Sequence, residues 1–198
     1  MCGVMRRFAG TPKVVRFRSA GLRIPFFNNA TREEKKMKSY DLSQLNILVL
    51  EKHLLVRKLL TDVFSEFGVA TVFSTPDVHE AYKYFNDSSP DIVFCDWTPD
   101  LDGMAFVRQI RQALDTPNPY APVVVVTANT ELRHVCFARD NGMTEFLAKP
   151  ISAKTIYARL CSVIENPRPF IRVNDFFGPD RRRRASGNHG HAERRRAV

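Results

Sequence analysis

Between Leu45 and Ile164, short apolar runs alternate with stretches of three-four periodicity, and this alternation leaves the chain few ways to fold. The runs are Asn46–Leu50, Val69–Phe73, Asp91–Asp96, Pro122–Thr127 and Glu145–Ala148, most of them apolar at consecutive positions. A strand that is hydrophobic on both faces belongs inside a parallel sheet covered on two sides. The segments between the runs supply the covers. Val56, Leu59, Leu60, Val63, Phe64 and Phe67 follow a helical stripe that stops at Gly68. Ala81, Tyr84 and Phe85 mark a second helix, and Phe106, Val107, Ile110 and Leu114 a third. Val135 and Ala138 predict a short fourth helix ending near Gly142. Ile156, Leu160, Val163 and Ile164 line a fifth, with Ser152 as its cap. Five strands alternating with five helices predict an α/β fold, a doubly wound five-stranded parallel sheet.

Charge divides the chain into three parts. Residues 1–40 hold ten Lys/Arg against two acids, 41–166 eleven against sixteen, and 167–198 nine against three. The net +9 therefore belongs to the ends, and the middle is acidic. Residues 1–40 read as a basic extension without folded structure. Met37 is a natural start for the compact part, and an organelle-type presequence or a nucleic-acid arm are the competing accounts of residues 1–36. Residues 167–198 read as an Arg-rich tail, largely disordered, in which Phe170, Phe176 and Phe177 could dock on the domain first. No run of eighteen apolar residues occurs, so no membrane span is expected. Cys2, Cys95, Cys136 and Cys161 form no CxxC pair, which fits free thiols in a reducing cytoplasm rather than a metal or disulfide framework.

In an open parallel sheet, functional groups gather at the carboxyl ends of the strands. The first strand ends at Glu51, the third at Asp96 and the fourth at Thr127, and the fifth leads to Lys149 before Pro150. Each alone has a bland explanation as turn former, strand residue or solvated cation. Together they place two carboxylates, a hydroxyl and an ammonium at one crevice. A carboxylate nucleophile needs a cation to relieve its repulsion from a phosphoryl group, and donors for the developing oxygens. Lys149 and Thr127 are of the right kind.

These residues carry a resemblance. "ILVLE", "DIVFCDW", "PDLDGM", "VVVVTA" and "FLAKP" follow in the order found in the receiver domain of bacterial response regulators, which residues 45–166 resemble. They are similar to the single-domain chemotaxis regulator. "RPFIRVNDFFGPDRRRR" is similar to a tail on certain alphaproteobacterial single-receiver proteins. The resemblance implies a flavodoxin-like receiver fold and a signalling role in a two-component phosphorelay. Asp96 would accept a phosphoryl group from a sensor histidine kinase or phosphotransfer protein. Mg²⁺ would be held by Glu51, Asp96 and the Thr98 carbonyl, while Lys149 and Thr127 would bind phosphoryl oxygens. Phe146 would be the switch aromatic, the Lys149–Pro150 bond would be cis, and a downstream protein target would read the surface of the fourth helix, fifth strand and fifth helix.

Two positions depart from the family. Where it usually has two adjacent acids after the first strand, this chain has Glu51–Lys52, with Arg57 five positions on as the anchor of that alignment. The loop from Asp96 to Asp102 is also one residue shorter than usual. Lys52 either partners Asp96 and its phosphoryl group or points to solvent, and in both cases loss of an acid weakens a divalent site. Two versions of the receiver reading follow: a stand-alone phosphorelay element, or a degenerate receiver that binds partners without phosphorylation. A nucleic-acid binder using Arg181–Arg184 and Arg194–Arg196 is disfavoured, because no helix-turn-helix, RNA-binding or zinc module accompanies them. No GxGxxG or P-loop is present, and Thr98 stands where aspartyl phosphatases place a second Asp, so a turnover enzyme is not expected. Any hydrolysis would be of the chain's own phospho-aspartate, tuned by the side chains of Thr98 and Asn129.

Overall fold

Five strands, β1 (Asn46–Leu50), β2 (Thr71–Thr75), β3 (Ile92–Asp96), β4 (Val123–Thr127) and β5 (Glu145–Ala148), form one parallel sheet in the order β2-β1-β3-β4-β5. The computed structural model describes residues 40–113 and 116–181. Side chains alternate across the sheet because the strand period is two. Ile47, Val49, Phe94, Val124 and Val126 face α1 (Leu54–Glu66) and α5 (Ala153–Glu165), where Leu60, Val63, Phe64, Ile156 and Leu160 meet them. Leu48, Leu50, Val93, Cys95, Val123 and Val125 face the other way. There α2 (Val78–Ser88), α3 (Gly103–Gln112) and α4 (Leu132–Asp140) bring Ala81, Phe85, Met104, Phe106, Val107, Ile110 and Ala138. This is the doubly wound α/β fold that the alternation predicts.

The predicted second strand is displaced by two residues. Gly68 takes a left-handed conformation (φ 76°) after α1, and the Val69 amide bonds back to the Phe64 carbonyl at 3.1 Å. Val69 is thus consumed in closing the helix, and pairing begins at Thr71 opposite Asn46. The third and fourth strands begin one residue later than the apolar runs suggest. Ser152 caps α5 as expected, in a reciprocal box with Thr155. Leu114 lies outside the described residues.

The tail departs further from expectation. Residues 167–180 are not a loose extension: β6 (Phe170–Val173) and β7 (Phe176–Pro179) pair as an antiparallel hairpin, turning through Asn174 at φ 50°. The turn falls on Asn-Asp, residue types that tolerate the left-handed region and suit a tight hairpin. Phe170 and Phe177 pack with Tyr120 in a triangle of rings 5.3–5.6 Å apart. Beneath them Arg111 is buried, its guanidinium 5.1 Å from the Phe170 ring, donating to the carbonyls of Gly142 (3.0 Å) and Pro119 (2.7 Å). Burial brings the Arg111 pKa down to about 9. The docking that Phe170 and Phe177 suggest is therefore present, at the amino-terminal edge of the sheet. The expectations for residues 1–39 and 182–198 lie outside the described residues.

Gly178 fixes how closely the hairpin docks, since a Cβ there would stand 2.9 Å from the Gly142 Cα and 3.0 Å from the Phe176 ring. Gly178→Val should cost about 1–3 kcal/mol by overpacking. Urea unfolding measures the loss, and faster amide exchange confined to residues 168–180 would place it at the hairpin.

Candidate functional site

The carboxyl edge of the sheet collects four chemical groups because adjacent parallel strands end together. Asp96 is the last residue of β3 and Thr127 the last of β4, while Glu51 and Lys149 immediately follow β1 and β5. Glu51 and Asp96 are 1% and 2% exposed, so two acids share a nearly dry site. The Lys149 ammonium lies between them, donating to Glu51 Oε2 at 2.8 Å and to Asp96 Oδ1 at 2.8 Å. The Lys149–Pro150 bond is cis, as the resemblance implies. The Lys149 amide bonds to the Thr127 carbonyl at 2.9 Å, which draws the loop after β5 over the end of β4.

Burial holds the Asp96 carboxyl above its ordinary 3.8, and the neighbouring Glu51 charge adds to this while Lys149 opposes it. Burial disfavours the charged form of Lys149, yet its hydrogen bonds and charge attraction to Asp96 and Glu51 outweigh that. Its pKa lies above the ordinary 10.5. The ammonium is therefore the stable form wherever the two acids are ionised.

The remaining predicted residues surround this group. Thr127 Oγ1 donates to the Trp97 carbonyl at 2.9 Å and accepts from the Asn129 amide at 3.1 Å. Phe146, on β5 opposite Val125, is half-buried against the core beneath α3 and α4. Arg57 reaches back from α1 to the carbonyls of Glu51 (2.8 Å) and Lys52 (3.3 Å), so the loop after β1 is tied down by its own helix. Lys52 sits apart from the carboxylate pair. Its ammonium meets Asp100 on the loop after β3 at 3.6 Å, and both side chains are more than half exposed.

Several of the oxygens that a divalent cation would use are already hydrogen-bonded. Glu51 Oε1 accepts the His53 amide at 2.9 Å, and Lys149 occupies Glu51 Oε2 and Asp96 Oδ1. The Thr98 carbonyl accepts the Leu101 amide at 3.1 Å, inside a loop closed by the reciprocal Thr98 amide bond at 3.3 Å. Among the described residues no group of three or more His, Cys, Asp and Glu converges as a metal site. Hard cations are held by several oxygens and by charge count, and the residue after Glu51 is the cationic Lys52.

Two features were not read from the sequence. Gly103, at the start of α3, packs so tightly that a Cβ would stand 2.0 Å from the Asp96 carbonyl oxygen. The "DG" of "PDLDGM" was the available signal, and Asp102 does cap α3 through the Ala105 amide at 2.9 Å. The second is a ring cluster: Trp97 lies 5.5 Å from both His134 and Phe137 on α4, and Asn129 contacts His134 at 3.1 Å. Nothing in the local sequence pairs residues so far apart.

Residues 47–161 match the family described as response regulator receiver domain. The transcriptional regulatory protein KdpE of Staphylococcus aureus is 28% identical over 118 residues, covering 59% of this chain and 48% of that protein. The phosphate regulon transcriptional regulatory protein PhoB of Escherichia coli is 27% identical over 124 residues, covering 62% and 53%. The matches thus span about half the length of these curated relatives. Among solved structures, the receiver domain of the sensor histidine kinase PA1611 from Pseudomonas aeruginosa covers 62% of this chain and 99% of its own, with TM-score 0.55 and 23% identity. That likeness shows the fold, and that structure has a magnesium ion coordinated in its active site cleft.

Lys149→Met leaves Glu51 and Asp96 buried together without their cation. Because Lys149 binds its proton more tightly in the folded state, its stabilisation is present at neutral pH and is lost as pH rises past its raised pKa. In the variant the Asp96 carboxyl, already raised by burial, loses the cation that opposes that rise, so stability falls as pH rises through the carboxylate range. Urea unfolding should show a loss of about 3–5 kcal/mol near pH 8 and a smaller one near pH 5. Equal losses at both would contradict the charge argument.

Proposed function

From the response regulator receiver domain family, to which this chain belongs, we propose that Asp96 accepts a phosphoryl group from the phosphohistidine of a sensor histidine kinase or phosphotransfer protein. Two-component signalling is the function of the family, and a receiver is a phospho-accepting module rather than an enzyme. The observation that carries the assignment to Asp96 is the Lys149 ammonium, 2.8 Å from its carboxylate. That cation opposes the burial and the Glu51 charge that disfavour an ionised Asp96, and a carboxylate so supported at the sheet edge is suited to attack on phosphorus. Lys149 then retains a phosphoryl oxygen in place of the carboxylate oxygen it held.

Thr127 provides the readout. Its hydroxyl exchanges the Trp97 carbonyl for a phosphoryl oxygen, which releases the start of the loop after β3 and moves Thr127 toward Asp96. Phe146, two positions back along the neighbouring strand, turns into the space that opens. The surface of α4, β5 and α5 changes with it and alters its affinity for a downstream protein. Leu54 and Leu55, 64% and 70% exposed at the start of α1, flank the mouth and offer an apolar surface for the donor to cover.

A second reading has its own support. The exposed Lys52–Asp100 pair and the closed Thr98–Leu101 loop also suit a degenerate receiver that binds partners without a phosphorylation cycle. Acetyl phosphate in magnesium buffer separates the two. Intact-protein mass should show one added phosphoryl group on the wild type and none on Asp96→Asn, with the adduct lost in mild alkali as an acyl phosphate is. Equal gain by Asp96→Asn removes Asp96 as the acceptor, and no gain by the wild type leaves the degenerate reading.

A further inference from the structure

We propose that Lys52 supplies the cation that receives the incoming phosphoryl oxygens, so that Asp96 is phosphorylated without a divalent metal. The inference rests on Asp96 being the acceptor.

The charge at the mouth requires such a group. Glu51 and Asp96 bring two negative charges and Lys149 one positive, and a phosphoryl group arrives with two more negative charges. Two of the three donors on the Lys149 ammonium are already committed to Glu51 and Asp96. A second positive charge is needed, and with Lys52 where a carboxylate would add charge the edge attracts a divalent cation weakly. Its Glu51 oxygens, Asp96 Oδ1 and Thr98 carbonyl already accept from the His53 amide, Lys149 and the Leu101 amide. Three arginines of the surrounding helices are engaged. Arg57 is turned to backbone carbonyls, Arg108 is held by Asp102 (3.6 Å) and Asn141 (3.3 Å), and Arg133 pairs with Glu131 at 2.6 Å.

Lys52 is placed differently. It follows Glu51 directly, and its ammonium crosses from the loop after β1 to Asp100 on the loop after β3. These are the loops on either side of the acceptor, since β1 and β3 are neighbours in the sheet. A solvent-exposed ion pair contributes little and is readily exchanged. A phosphoryl group offers more negative charge and more acceptors than a lone carboxylate, so it displaces Asp100. In the transfer, a carboxylate oxygen of Asp96 attacks phosphorus and the P–N bond breaks. Its electron pair remains on the imidazole nitrogen, which takes up a proton from water. Lys52 and Lys149 hold the phosphoryl oxygens of the resulting mixed anhydride.

The test uses the full chain and inorganic phosphoramidate, followed by intact-protein mass, in EDTA and in magnesium buffer. The wild type should react in EDTA within about threefold of its rate in magnesium. Lys52→Ala should slow the EDTA reaction by about tenfold or more. Lys52→Arg should retain it, and Lys52→Asp should react only with magnesium. Trp97, the single tryptophan and the residue after Asp96, reports metal binding independently. Its fluorescence should stay flat when the wild type is titrated with magnesium and change saturably in Lys52→Asp. Because Lys52 is more than half exposed, circular dichroism of these variants should match the wild type. A wild type that reacts only with magnesium, or a Lys52→Ala that keeps pace in EDTA, overturns the role of Lys52 and leaves Asp96 as acceptor. No reaction in either buffer overturns both.

Discussion

Two carboxylates withdrawn from water at the edge of a sheet repel one another and lose their hydration, and one ammonium relieves both difficulties. Lys149 can do so only because the topology brings the ends of β1, β3, β4 and β5 to one side. Its backbone amide holds the Thr127 carbonyl, so the loop after β5 leans over β4 toward the acids. The loop after β1 is fixed in turn by Arg57, whose guanidinium bonds the carbonyls of Glu51 and Lys52. The loop after β3 is fixed by Gly103, where no side chain would fit beneath the Asp96 carbonyl. The two cores on either face keep the strand ends in register. Geometry at the edge is thus inherited from packing well below it.

Within that frame the chain has redistributed charge. Against the pattern that the resemblance implies, Lys52 stands in place of an acid after β1, and the loop after Asp96 is one residue shorter and closes on itself through Thr98 and Leu101. Both changes act in the same direction, reducing the oxygen donors open to a hard cation while raising the fixed positive charge. Each could be neutral alone. Their coincidence on adjacent loops makes the site electrostatically distinct from a cleft with an acidic pair and a bound magnesium ion.

How much of this could be read beforehand depended on how local the signal was. The five strands and five helices were legible because each carries its own hydrophobic period. Glu51, Asp96, Thr127 and Lys149 were legible because strand ends in a parallel sheet share one edge. The start of β2 was missed because Val69 is apolar but is used by the closing turn of α1. The hairpin was missed for a related reason. Residues 167–180 carry little apolar periodicity, and their stability comes from Arg111, Tyr120 and Gly142, all distant in sequence. The placement of Lys52 against Asp100 was not legible either, since it depends on the relative height of two loops.

The hairpin ends on Arg181, whose guanidinium lies over the Phe176 ring at 4.5 Å and 3.4 Å from Asp140 at the end of α4. Because α4 runs against the strands, that point is at the far pole of the molecule from Asp96. Arg181 therefore ties the end of the hairpin to α4 at a distance from the carboxylate site. The two poles can be addressed separately. A change at Arg181 acts on the hairpin's hold on α4 and leaves the groups around Asp96 untouched.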